Sequence, residues 1–206
     1  MHRFAMIDSM TDLEEAILIH RESLSLRPTL HPHRSFSLNN LAGALSYRFD
    51  QTGLMADIQE VILLQRESLS LRPTSHPYYS NSLCNLANAL RDRFEKTGSM
   101  IDLEEAILLH HESLSFRPTP HPERYKSLNC LAYVLGSRFE KTGSMTDLEE
   151  AISMVRESLS LRPHSCRLPA LNNLAYYLEA RFKENGSQSD FEEATSLCQK
   201  ILAMSK

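Results

Sequence analysis

The residues of this chain that could carry chemistry are four cysteines, nine histidines and a recurring set of asparagines, tyrosines and arginines. A cysteine beside a histidine would make a nucleophile, and several such side chains together a metal site. The spacing spells out neither. Cys84, Cys130, Cys166 and Cys198 form no Cys-x-x-Cys pair and stand at no recognisable catalytic distance from a histidine, so they read as free thiols of a reducing, cytoplasmic compartment. Cys198 sits in an apolar stretch and is expected in a core. His31, His76 and His121 each precede a proline and read as turn residues; His110 and His111, adjacent on one helix, must point to different faces. With no glycine-rich phosphate loop and no nucleophile elbow, the sequence implies no enzyme, no cofactor and no metal.

The elements that must position these residues are set by a period. Gly53, Gly98 and Gly143 lie 45 residues apart, with Gly186 43 later. Pro28, Pro73, Pro118 and Pro163 keep the 45-residue step, as do Asp12, Asp57, Asp102 and Asp147, with Asp190 43 further on. Such a period marks a repeat architecture. Each period holds two stretches of helical length. The first, HRSFSLNNLAGALSYRFD (33–50), puts Leu38, Leu41, Ala42, Leu45 and Phe49 on one stripe. The second, DIQEVILLQRESLSLRP (57–73), has a broader apolar face and stops where Arg72 precedes Pro73. Gly98 closes a first helix, and Ser99-x-x-Asp102 opens a second one in the manner of a capping box, a pattern shared by Ser9/Asp12, Ser144/Asp147 and Ser187/Asp190. The reading is an all-α array of antiparallel helix pairs, about nine helices in all. It starts with a lone second helix in 1–32 and continues with repeats at 33–77, 78–122, 123–166 and 167–206.

Composition fits this and removes other classes. A hydrophobic share of 42% is too high for a disordered tail, and no uncharged apolar run approaches the ~18 residues of a membrane span. A net charge of -4 with acids and bases alternating argues against a nucleic-acid stripe. The start, MHRFAMIDSMTDLEE, lacks the apolar run of a secretory signal.

The motif Leu-Asn-Asn-Leu-Ala-x-Ala-Leu, then a turn, Glu-Glu-Ala-Ile and a closing proline, resembles the tetratricopeptide repeat. The small residues of that pattern fall on Ala42, Ala87, Ala132 and Ala175 in the first helices, and on Ala16, Ala106, Ala151 and Ala194 in the second, with Val61 departing. The 45-residue period, with its long Arg-Phe-Glu-Lys-Thr-Gly joint and its His-Pro segment, is similar to the kinesin light chain type. The near-verbatim repeats look most like arrays of mushroom-forming fungi, often joined to a CHAT domain. The resemblance implies a right-handed superhelical solenoid acting as a non-catalytic protein-interaction scaffold.

It also implies that the first helices line a concave groove for a peptide or partner segment. Asn40, Asn85 and Asn173 precede the Leu-Ala core pair, with Cys130 interrupting the column, and amides there can both donate to and accept from a peptide backbone. One turn on stand Gly43, Asn88, Tyr133 and Tyr176. Recent duplication would replicate any residue, so inherited surface polarity and inter-helix hydrogen bonding remain open for the asparagines, and space filling for the tyrosines. Arg48, Arg93, Arg138 and Arg181 precede a phenylalanine in every first helix and either cap its carbonyls or face acidic ligands. Arg3-Phe4 keeps phase with Arg48-Phe49, so the end faces read as unpartnered, which leaves room for weak self-association or for a spacer role in a larger signalling protein.

Overall fold

The computed structural model describes residues 10–161 and 167–204. Arg3, Phe4, Ser9, Pro163 and Cys166 lie outside them. The described residues form nine α-helices and no strand. First-type helices are α2 (Arg34–Thr52), α4 (Tyr79–Thr97), α6 (Arg124–Thr142) and α8 (Leu168–Asn185). Second-type helices are α1 (Met10–Ser25), α3 (Met55–Ser70), α5 (Met100–Ser115), α7 (Met145–Leu161) and α9 (Gln188–Met204). The chain divides into two compact bodies, Met1–Leu109 and His110–Lys206. In the first body α2 packs on α1 and α3, and α3 on α4; in the second, α7 packs on α6 and α8, and α8 on α9.

Each helix is amphipathic at helical spacing. Leu38, Leu41, Ala42 and Leu45 of α2 are buried, as are Ile58, Val61 and Ile62 of α3. A leucine fully removed from water contributes about 1.5–3 kcal/mol, so the stripe holds the helix more firmly than propensity does. The alanines of the motif let helices approach closely: Ala42, Ala87, Ala132, Ala106 and Ala151 are all fully enclosed. The joint glycines are required by backbone geometry. Gly53, Gly98, Gly143 and Gly186 have φ of 68–71° and each donates its N–H to a phenylalanine or equivalent carbonyl four residues back at 2.7 Å. Along the second helices, exposed ion pairs of 2.6–2.7 Å join Arg21 to Glu60, Arg66 to Glu105, and Arg156 to Glu193. Each such pair adds at most about 1 kcal/mol.

One seam departs from the repeat. Where other first helices carry Ala44, Ala89 and Val134, α8 carries Tyr177. Its ring is buried, and its hydroxyl donates to the Ala132 carbonyl of α6 at 3.0 Å. Gly136 of α6 makes the space, since a Cβ there would lie 2.6 Å from Tyr177 Cε1. Gly136→Ser is therefore expected to cost about 1–3 kcal/mol through overpacking. In a Tyr177→Ala background the same change should cost under about 0.5 kcal/mol. Urea melts of the four proteins followed by circular dichroism read this, and equal costs in both backgrounds would show that the two residues do not share the space.

Candidate functional site

Within each body the sequence candidates lie on the solvent side of their first helices. On α2, Asn40 and Gly43 point to solvent beside Phe36; on α4, Asn81, Asn85 and Asn88 are partly exposed. In the second body, Tyr133 of α6 and Tyr176 of α8 are exposed and Asn173 is partly so. The spacing i, i+4, i+7 places each set opposite the buried leucines of its helix. Among the described residues, Asn40, Asn85 and Asn173 make no side-chain hydrogen bond, which removes inter-helix bonding as their role. The neighbouring asparagine behaves differently. With its oxygen toward Arg72, the Asn39 amide accepts from Nη1 and Nη2 at 2.8 and 2.6 Å and donates to Gln65 Oε1 at 2.7 Å. One asparagine of the motif thus builds the interior, and the next faces out.

The other candidates vary. Asn88 accepts a long bond of 3.5 Å from Arg91 Nη1. Tyr176 donates to Glu140 of α6 at 2.6 Å, and that bond, with some burial, pushes its pKa up to about 12. Its hydroxyl is therefore held in place, and its ring is presented edge-to-face against Tyr177 at 5.7 Å. Nothing within 4 Å fills the space at Gly43. Phe36 went unmarked in the sequence, although it lies one helical turn before Asn40. Its ring meets Tyr78 edge-to-face at 5.8 Å, extending the exposed face to the start of α4.

The remaining chemistry-bearing residues serve the fold. His31, His76 and His121 each use Nδ1 to accept the backbone N–H two residues on, at 3.1 Å, so the ring builds the His-Pro turn. His110 is fully buried, whereas His111 is exposed and lies 3.6 Å from Glu150. Among the described residues no three His, Cys, Asp or Glu side chains converge on a metal position. Cys84 and Cys130 are half-buried and in no disulfide. Cys198, expected in the core, is exposed: α9 packs on α8, and no described element covers its opposite side.

The arginine column is the clearest correction. Arg48, Arg93, Arg138 and Arg181 neither cap carbonyls nor line a groove. Each grips the aspartate nine residues on, through Nε and Nη2, at 2.5–2.8 Å: Asp57, Asp102, Asp147 and Asp190. The Arg48 carbonyl is already taken by Thr52 Oγ1 and the Phe49 carbonyl by Gly53, so the helix end has no use for the guanidinium. Nor does the aspartate act chiefly as a cap, being 2–5% exposed and committed to its arginine. The serine cap survives weakly, as 3.4 Å contacts from the Asp147 and Asp190 amides to Ser144 and Ser187 Oγ.

Residues 80–123 and 126–164 match the tetratricopeptide repeat model. Those two stretches are similar to tetratricopeptide repeats. Among solved structures, a Podosopora anserina putative kinesin light chain with nearly identical TPR-like repeats has a TM-score of 0.63 at 21% identity, over 91% of this chain and 88% of that one. A single-substitution variant of it gives 0.65 at 21% identity, over 93% and 85%. MamA gives 0.62 at 16% identity, over 98% of both chains. At these identities the likeness establishes the fold: a helical repeat solenoid of tetratricopeptide type. No curated protein matches at the level of sequence. No described helix is long and apolar enough to cross a membrane.

The joint between paired helices is testable through its ion pair. Arg181→Gln leaves the enclosed Asp190 without its cation and is expected to cost about 2–3 kcal/mol, short of the full buried-pair figure because Arg181 is partly exposed. Adding Asp190→Asn should recover part of that. The bond to Arg181 holds the Asp190 carboxyl below its ordinary value. The unfolded chain therefore takes up this proton first as the pH falls. The pair's contribution is complete above the unfolded carboxyl's pKa, about 3.9, and fades as pH drops through the lower folded value. Thermal melts of wild type and Arg181→Gln should converge in that acid window; a gap unchanged down to pH 2 would sink the assignment.

Proposed function

We propose that the exposed first-helix faces capture an extended peptide or partner segment, with Asn40, Asn85, Asn88 and Asn173 reading its backbone and Tyr133 and Tyr176 packing against its side chains. The tetratricopeptide fold generally mediates protein–protein interactions, and its members are typically non-catalytic scaffolds. The observation that carries the finer reading is that three outward amides at the same motif position make no hydrogen bond within the described chain. A primary amide supplies a donor and an acceptor together, which is what an extended backbone needs. Adjacent first helices pack ~8–10 Å apart and an extended segment advances ~3.3 Å per residue, so each helix would meet about every third residue. Tyrosine adds rigid contact area with a polar tip, and Tyr176 is already oriented by Glu140. Cys84, Cys130 and Cys198, in no disulfide, fit a reducing compartment such as the cytoplasm.

A second reading, self-association through end faces, is favoured by one observation. Ile19, Leu26 and Leu30 at α1 are exposed, with Ile19 and Leu26 lining a shallow depression of about 340 Å³, and Leu202 of α9 is exposed as well. Sedimentation across a concentration series reads it, and a protein monomeric at high concentration removes it.

The leading reading is tested by comparing partners recovered from lysate by wild type and by Asn40→Ala/Asn85→Ala/Asn173→Ala. These surface changes should move stability by no more than about 0.5 kcal/mol each, which a thermal melt verifies. The triple variant is expected to lose the partners that wild type retains. Equal recovery by both proteins would mean the amides do not hold the segment.

A further inference from the structure

The residue that opens each first helix changes along the array: His33, Tyr78 and Glu123 hold equivalent places, with nearly the same backbone, at the N-termini of α2, α4 and α6. Each stands beside the arginine of the preceding Arg-Pro joint. In the second body this arginine, Arg117, is 3% exposed, yet the Glu123 carboxylate reaches its Nη2 at 3.5 Å. A carboxylate can therefore approach this enclosed guanidinium from the solvent side.

The equivalent cation in the first body has no such partner. Arg72 is 4% exposed, and among the described residues no carboxylate pairs with it. Its Nη1 donates to Ser82 Oγ in the first turn of α4, Nη1 and Nη2 together hold the Asn39 oxygen, which leaves the Nη2 proton on the Nε side, and the Phe36 and Tyr78 rings lie 5.3 and 6.0 Å from its Cζ. Its Nε is enclosed and has no hydrogen-bond partner. A buried donor left unmatched is costly, and burial draws the pKa of this guanidinium down. The α4 terminus adds to the positive field, because it has neither a side-chain cap nor an acid in its first turn.

We propose that the Nε/Nη2 edge of Arg72, at the N-terminus of α4, is a binding site for an oxyanion group, a carboxylate or a phosphate, with Tyr78 as its movable cover. That edge of a guanidinium matches two oxygens of either group side-on. Tyr78 is 49% exposed, so its ring can swing into water while Phe36 stays as the apolar wall. In α6 the site is closed from within by Glu123; in α4 it is left for a ligand. The inference is independent of the asparagine face, since it uses none of those amides.

The test follows arginine Nε–Hε resonances of the full-length, nitrogen-labelled protein during titration with inorganic phosphate or sodium acetate, against sodium chloride at matched ionic strength. One Nε signal, lost in Arg72→Lys, is expected to shift saturably with the oxyanions and not with chloride. Saturation by phosphate alone identifies a phosphate site; saturation by acetate, with or without phosphate, identifies a carboxylate site. Tyr78→Glu, which copies the α6 arrangement, should reproduce the ligand-bound shift, weaken oxyanion binding by about tenfold or more and raise the melting temperature. Tyr78→Phe should leave binding in place. If Arg72→Lys fails to fold, the Tyr78→Glu and Tyr78→Phe comparison assigns the signal. Equal responses to chloride and oxyanions, or an undiminished response in Tyr78→Glu, overturns the proposal.

Discussion

The fold depends on one ion pair repeated at every first-to-second joint. A glycine in the left-handed conformation ends the first helix, but a glycine turn alone leaves the next helix free to swing. The arginine, one residue before the helix's last phenylalanine, reaches across the turn and takes both oxygens of an aspartate in the opening turn of the next helix. Two parallel bonds fix direction as well as distance. Because the aspartate is nearly enclosed, the pair tolerates no loss of either partner. It is held near the positive end of the second helix, where its charge is favourable in its own right. Once the angle of each helix pair is set in this way, the leucine and alanine stripes meet and the first-helix faces are aimed outward.

Much of this was legible in the sequence, because glycine and proline act locally. The phase of Gly53, Gly98 and Gly143 marks the joints, and helical spacing of Leu38, Leu41 and Leu45 marks the buried face. The pairing of Arg48 with Asp57 was not legible, since nine residues across a turn is neither a helical nor a strand spacing, and each residue had a plausible local duty as a cap. The exposure of Cys198 was missed for a related reason: an apolar helix announces a core only if something covers it.

The binding face shows the same division. The outward column of asparagines could be read from the motif, but which amide of Asn39 and Asn40 turned inward depended on Gln65 and Arg72, residues 25 to 33 positions away. Phe36 could have been found as the turn preceding Asn40. The contrast between Arg72 and Arg117 could not, because identical Arg-Pro joints differ only in what the next helix places above them.

Tyr177 and Gly136 bear on a hazard peculiar to arrays of near-copies. When every repeat offers the same stripe, a folding chain can dock a helix on the wrong neighbour at almost no energetic difference, and swapped or slipped arrangements compete with the native one. A bulky ring whose matching hollow exists on a single other helix breaks that degeneracy. It works as an address: α8 is admitted beside α6, and a mistaken docking on a first helix with a side chain at the Gly136 place, such as Ser46 or Arg91, meets a clash. Uniformity makes the array easy to extend, and one irregular seam gives it a defined order.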